Sequence, residues 1–196
     1  ERETKIVRRY AEYHDGIFGV RAGTYYASFG RGLVLRAMED TDVRVDRDID
    51  GVYGSVGWKK LHGQAVLGHP RSDHSSQRTN VLAGGDAEIE ALPGLFLGGA
   101  YIRQDAQNDA ATEDLEQLGR PALEECAGGR VNWVHGLLDV YLEGAKRMPR
   151  AADDPHGGWT WTSAEDGRAW YGSVNMGVTG YTVLLEGKDY LRYDVD

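Results

Sequence analysis

The feature that most constrains this chain is a rhythm in its connections. From Gly51 onward, segments of alternating apolar and polar residues are joined by tight turns near Lys60, Pro93, His135 and Gly180. Between those turns run connections of about fifteen to twenty residues, the short-long wiring of a membrane barrel with turns at one rim and loops at the other. A soluble sandwich has no reason to keep that rhythm, because Greek-key crossings mix connection lengths.

The alternation is explicit along the chain. Phe18, Val20, Ala22 and Tyr26 fall opposite Arg21, Gly23, Tyr25 and Ser28, which predicts one long strand over Gly16 to Phe29. Gly51 to Trp58 sets Val52, Val56 and Trp58 against Tyr53 and Ser55, and Gly63 to Gly68 returns as its partner. Asp86 to Leu92 places Ala87, Ile89 and Ala91 opposite Glu88 and Glu90, Pro93-Gly94 turns, and Leu95 to Arg103 comes back. Ala127 to Val134, Leu137 to Lys146, Arg168 to Thr179 and Tyr181 to about Leu191 continue the pattern. Pro70 to Gly85 and Met148 to Asp166 read as polar loops. Gln104 to Leu123 is an acidic excursion with helix-start signals at Thr112 and Pro121.

The expected fold is therefore all-β, an antiparallel up-and-down meander of about nine strands, forming a transmembrane β-barrel or part of one. The apolar face would meet lipid. The other face, carrying Arg21, Glu88, Glu90, Arg103, Arg130, Glu143 and Glu186, would line the lumen. A soluble sheet wetted on one side alternates identically, so the loop rhythm decides between them. An odd strand count points to an incomplete barrel, since bacterial single-chain barrels close with an even number.

Composition agrees with strands: 27 Gly, 11 Tyr and 5 Trp stand against 3 Phe, and Tyr and Trp suit strands and polar-apolar boundaries. A net charge of −9 with no basic stripe argues against a nucleic-acid partner. No apolar run reaches the roughly 18 residues of a transmembrane helix. Cys126 is the only cysteine, so it reads as a small wall residue. Glu1-Arg2-Glu3-Thr4-Lys5 has no apolar signal-peptide core and no initiator Met, so the chain reads as a mature or excised piece.

One segment departs from the strand pattern. Between Gly30 and Asp50, arginines and acids are interleaved with apolar residues, and charges so interleaved usually need partners; the other reading is an irregular polar surface loop. Residues 30–50 are expected to fold toward the barrel interior. The candidate interior charge network comprises Arg31, Arg36, Glu39, Asp40, Arg44, Asp46, Asp48 and Asp50 of the segment, with Glu143 and Glu186 of the wall.

Several blocks look familiar together: Tyr25-Tyr26-x-x-Phe29-Gly30-Arg31-Gly32-Leu33-x-Leu35-Arg36, Glu39-Asp40, Asp46-x-x-Ile49-Asp50-Gly51-Val52 and Leu185-Glu186-x-Lys188-x-Tyr190. They resemble an uncharacterised family of outer-membrane-type β-barrel proteins of Gram-negative bacteria, over about Gly16 to the C-terminus. The resemblance implies a location in the bacterial outer membrane, with the Phe-Gly-Arg-Gly block contributing to the interior. It implies no enzyme activity, and its longer members imply that this chain is part of a barrel. The expected partner is the lipid bilayer, with a small solute or other outer-membrane subunits in addition.

Motifs for chemistry are weak. Asp46-x-Asp48-x-Asp50-Gly51 matches half of a calcium loop, but the required twelfth-position acid falls on Gly57. His69, Asp73 and His74 fit no closed zinc spacing. Glu88 with Glu90, or Glu143, would serve a hydrolase, yet acids two apart recur in any polar lining. Trp159 and Trp161 would stack on sugars if the chain were instead a soluble, extracytoplasmic carbohydrate-binding sandwich. No cofactor is implied.

Overall fold

The computed structural model of the chain describes residues 8–40, 45–70, 80–106, 123–150, 167–178 and 180–192. Ten strands form one antiparallel sheet: β1 (Tyr10–Asp15), β2 (Phe18–Tyr25), β7 (Ile49–Trp58), β8 (Leu61–Pro70), β9 (Asn80–Leu92), β10 (Leu95–Ala106), β11 (Leu123–His135), β12 (Leu138–Arg150), β13 (Gly167–Val178) and β14 (Tyr181–Leu191). Each pairs with its neighbour in this order, and β1 and β14 are the two edges of a sheet that does not close. Between β2 and β7 lie two miniature ladders, β3 (Ala27–Ser28) with β4 (Arg36–Ala37) and β5 (Glu39–Asp40) with β6 (Val45–Asp46).

The expected all-β meander is what forms, with tight turns at Lys59-Lys60, Pro93-Gly94, Gly136 and Gly180. Gly94, Gly136 and Gly180 sit at φ +78°, +59° and +83°, the left-handed region that glycine enters without steric cost.

The two faces differ as alternation requires. On one, Ile89, Leu97, Val131 and Leu142 are successive cross-strand neighbours, and all four are exposed, Leu142 to 57%. On the other, Tyr53, Val66, Gly84, Ile102 and Cys126 form a cross-strand row, and Val66, Ile102 and Cys126 are buried. What covers that inner face is the chain between β2 and β7. Phe29 is 0% exposed, and Leu33, Val34 and Leu35 are buried in one cluster with residues from every strand between β7 and β13. Burying such side chains stabilises by about 1.5–3 kcal/mol each.

That cluster forces curvature. In a flat sheet β7 and β13 would stand roughly 29 Å apart, six intervals at about 4.8 Å. Ile49 on β7 and Ala169 and Tyr171 on β13 nevertheless share a single core around the insert. The sheet therefore curls into a gutter with the insert on its concave side.

Several expectations are corrected. The first long strand ends at Tyr25, because the chain leaves the sheet there to enter the insert, and β3 pairs with β4 instead. The sheet has ten strands, since β1 precedes the first strand expected, so parity gives no ground for incompleteness. Arg103 is not on the inner face: it pairs with Glu125 and Ala83 in the same outward row. Strands β8 to β13 run further into the long connections than expected, so Asn80 to Gly85 belongs to β9. The helix-start signals at Thr112 and Pro121, His74, and Trp159 and Trp161 lie outside the described residues. The sandwich alternative needs two packed sheets, whereas the described residues form one large sheet and two short ladders.

Candidate functional site

The site is built from two parts, the insert and the wall it faces. The insert turns back on itself at Phe29-Gly30-Arg31-Gly32. The Gly32 amide donates to the Phe29 carbonyl at 2.9 Å, and the Phe29 amide donates to the Leu35 carbonyl at 3.0 Å. Gly30 and Gly32 take φ +56° and +89°, and a Cβ on Gly30 would stand 2.7 Å from a Glu143 carboxylate oxygen. Glycine is thus required at position 30 both for its backbone and for the approach of the wall.

The contact this approach permits is specific. The Arg31 amide donates to Glu143 Oε2 at 2.8 Å, and Tyr141 Oη donates to the same oxygen at 2.6 Å. The carboxylate itself is buried, so these two donors replace the water it has lost. The Arg31 guanidinium lies 5.2 Å from the Tyr141 ring centroid and 5.8 Å from that of Tyr171, within cation-π range. Tyr171 Oη in turn donates to Glu186 Oε1 at 2.5 Å. Arg31, Glu143 and Glu186 are therefore brought into one chain of contacts, threaded through two tyrosines that sequence reasoning did not place there.

The other expected members divide. Arg36 donates through Nε to Met38 Sδ at 2.9 Å and is exposed. Asp48 is buried. Asp50 faces Arg9, with Arg9 Nη2 at 3.8 Å from Asp50 Oδ2. Glu39, Asp40 and Asp46 have their backbones in the β5–β6 ladder, and their side chains lie outside the description. Arg44 is outside the described residues altogether. Asp50 and Gly51 sit in extended strand paired with His69 and Gly68, so the calcium-like spacing does not wrap around an ion. No group of three or more potential metal ligands occurs among the described residues.

A second charge cluster lies on the same wall, nearer the tight turns. Arg130 of β11 reaches over β10 to β9. Its Nε donates to Glu88 Oε2 at 2.8 Å and its Nη2 to Asp86 Oδ1 at 3.0 Å, while Nη1 meets Asp86 Oδ2. The Arg130 and Asp86 side chains are 8% and 6% exposed, that of Glu88 29%. Asp86 was not expected, although its spacing of two from Glu88 already assigns both to one strand face.

The residue that makes the bridge possible is Gly98 on the intervening strand, paired with both Glu88 and Arg130. A Cβ there would stand 2.6 Å from Arg130 Cζ. Because carboxylates on β9 hold the guanidinium, it cannot swing aside. Gly98→Ala will cost about 1–3 kcal/mol, the usual penalty of overpacking. Gly99→Ala, whose Cβ would meet nothing closer than the Gly128 carbonyl at 3.7 Å, will be within about 1 kcal/mol of wild type. Urea unfolding midpoints of the two variants will separate accordingly.

Comparison with known proteins adds a family and no activity. The profile of a family of unknown function, DUF6029, matches residues 2–195. No curated protein matches the chain.

Proposed function

The chain belongs to this family of unknown function, and we propose that it forms the wall of a β-barrel in the bacterial outer membrane, with residues 30–37 of the insert folded against the inside. The observation that carries the reading is the apolar surface that the outward face leaves exposed, while the inner face encloses charged groups beside its apolar core. The inner face holds Arg130 with Asp86 and Glu88, and Glu143 with Tyr141. The outward face leaves Phe18, Val52, Leu67, Ile89, Leu97, Val131, Leu142 and Val174 exposed. Contiguous apolar surface of this kind calls for an apolar neighbour.

The outward face is also banded. On β12, Leu138, Val140, Leu142 and Gly144 precede the first outward charge, Lys146. From Leu138 to Gly144 that is roughly 20 Å of strand at about 3.4 Å per residue, of the same order as the apolar band of about 25 Å in outer-membrane barrels. On β13 the sequence Met176, Val174, Gly172 and Trp170 likewise gives way to Arg168. Exposed aromatic residues mark the band: Trp58, Trp133 and Tyr181 toward the turn rim, Tyr101 and Trp170 toward the loop rim. Amphipathic rings favour such boundaries.

The test uses acyl-chain quenchers. In vesicles of lipid brominated along the chains, emission from variants retaining only Trp133 or only Trp170 will be quenched relative to unbrominated lipid. A folded, monomeric protein that stays in water and shows no quenching would overturn the reading.

A further inference from the structure

The inner face holds a cavity that the insert does not fill. It has a volume of about 410 Å³ and opens near the tight turns, lined by residues of β1, β7, β8, β9 and β11. Its polar lining is His14, Tyr53, Ser55, His62, Glu88 and Arg130, with Asp86 and Gln64 at the wall. The volume falls in the range of small-molecule sites, and a few convergent polar groups are what such sites use to fix orientation.

We infer that this cavity binds a small organic solute bearing a primary ammonium group. The charge balance carries the class of ligand. Two carboxylates and one guanidinium line the cavity, a formal charge of −1 from those three groups. The guanidinium is already engaged: three of its N–H groups point to Asp86 and Glu88. An anionic solute would have to compete with both carboxylates at once.

A cation meets the reverse situation. Glu88 uses Oε2 for Arg130, its side chain is the more exposed of the two acids, and it keeps acceptor capacity toward the cavity. Tyr53 donates its hydroxyl proton to Gln64 Oε1 at 3.2 Å, which leaves the Tyr53 oxygen as an acceptor. Gln64 is itself committed, since Nε2 donates to the Ser28 carbonyl at 3.0 Å. The Ser55 hydroxyl and the two imidazoles add further polar groups to the lining. A bare divalent ion is not the fit, because no three ligating side chains converge among the described residues.

This inference goes beyond the barrel reading and does not need it. The test is titration calorimetry at pH 7.5 on the full chain in detergent micelles, its strand content checked by circular dichroism. Three probes of one shape differ only in charge: trans-4-aminocyclohexanol, cyclohexane-1,4-diol and 4-hydroxycyclohexanecarboxylate. The amine will bind at least about tenfold tighter than the other two, the margin expected for a hydrogen bond to a charged group. Glu88→Gln will remove that preference. His62→Trp, which fills the cavity from β8 without touching the Arg130 bridge, will abolish binding while the spectrum stays unchanged. Equal affinity for all three probes, preference for the carboxylate, or no binding of the amine overturns the proposal. Each of these outcomes leaves the bromolipid quenching of Trp133 and Trp170 unaffected, so the two readings fail separately.

Discussion

In lipid vesicles, Leu142→Arg will cost about 2–4 kcal/mol of unfolding free energy, whereas Tyr101→Arg will cost about 0–1 kcal/mol. Both positions are outward and exposed, so in water both substitutions would fall within the usual ±0.5 kcal/mol or so of surface changes. Lipid separates them by depth. Leu142 is flanked by Val131 and Gly172 in the middle of the apolar band, where a guanidinium has neither water nor a partner. Tyr101 pairs with Ala127, one row from Arg103 and Glu125, and its hydroxyl already donates to Glu125 at 2.7 Å. An arginine there inherits that carboxylate. Reversible urea unfolding of each variant in vesicles, followed by tryptophan emission, measures the difference. Small and equal costs at the two positions would mean that water wets this face.

How much of this was readable beforehand follows from what alternation encodes. Period-two patterning reports which residues share a face, so Ile89, Val131, Leu142 and Val174 were assigned together correctly, as were Glu88, Arg130 and Glu143. The same parity also decides the terminal residues of two expected strands, where it was not applied. Arg103 shares its parity with Leu95 and Leu97 and so points outward. Asp86 shares that of Glu88 and so points inward. β1 was missed for a different reason. Tyr10, Glu12 and His14 alternate with Ala11, Tyr13 and Asp15, so neither face is apolar and no amphipathic signal exists.

The insert was legible in its composition and not in its geometry. Interleaved charge and apolar residues pointed to partners within the fold but left an irregular surface loop as the alternative. Burial of Phe29, Leu33, Val34 and Leu35 decides between the two. Which charges would meet the wall was beyond reach, since that depends on Gly30 allowing the backbone to approach Glu143. The partners of Arg31 are two aromatic rings and a carboxylate bound through its amide, an arrangement that counting ion pairs does not find. Arg130 was read as one lining charge among several. Its role as a three-strand bridge required Gly98 to stand between it and its acids.

That bridge supports the second large prediction: Arg130→Met will destabilise the fold by about 3–5 kcal/mol, the loss seen when one partner of a buried ion pair is removed. The methionine fills much of the same space, so the cost is electrostatic. Asp86 is left buried with a charge that, among the described residues, Arg130 engages through two nitrogens. Glu88, more exposed, keeps access to the cavity. The sign of the argument can be checked by removing the acid as well. Arg130→Met with Asp86→Leu deletes the stranded charge together with its partner, and replacing a buried pair by apolar groups is often neutral or stabilising. The double variant will therefore recover most of the stability lost by the single one, a coupling that urea unfolding of all four species in a double-mutant cycle reads directly. Additive losses, with the double variant weaker than either single, would show that Arg130 holds the wall through packing against Gly98 and not through its carboxylates.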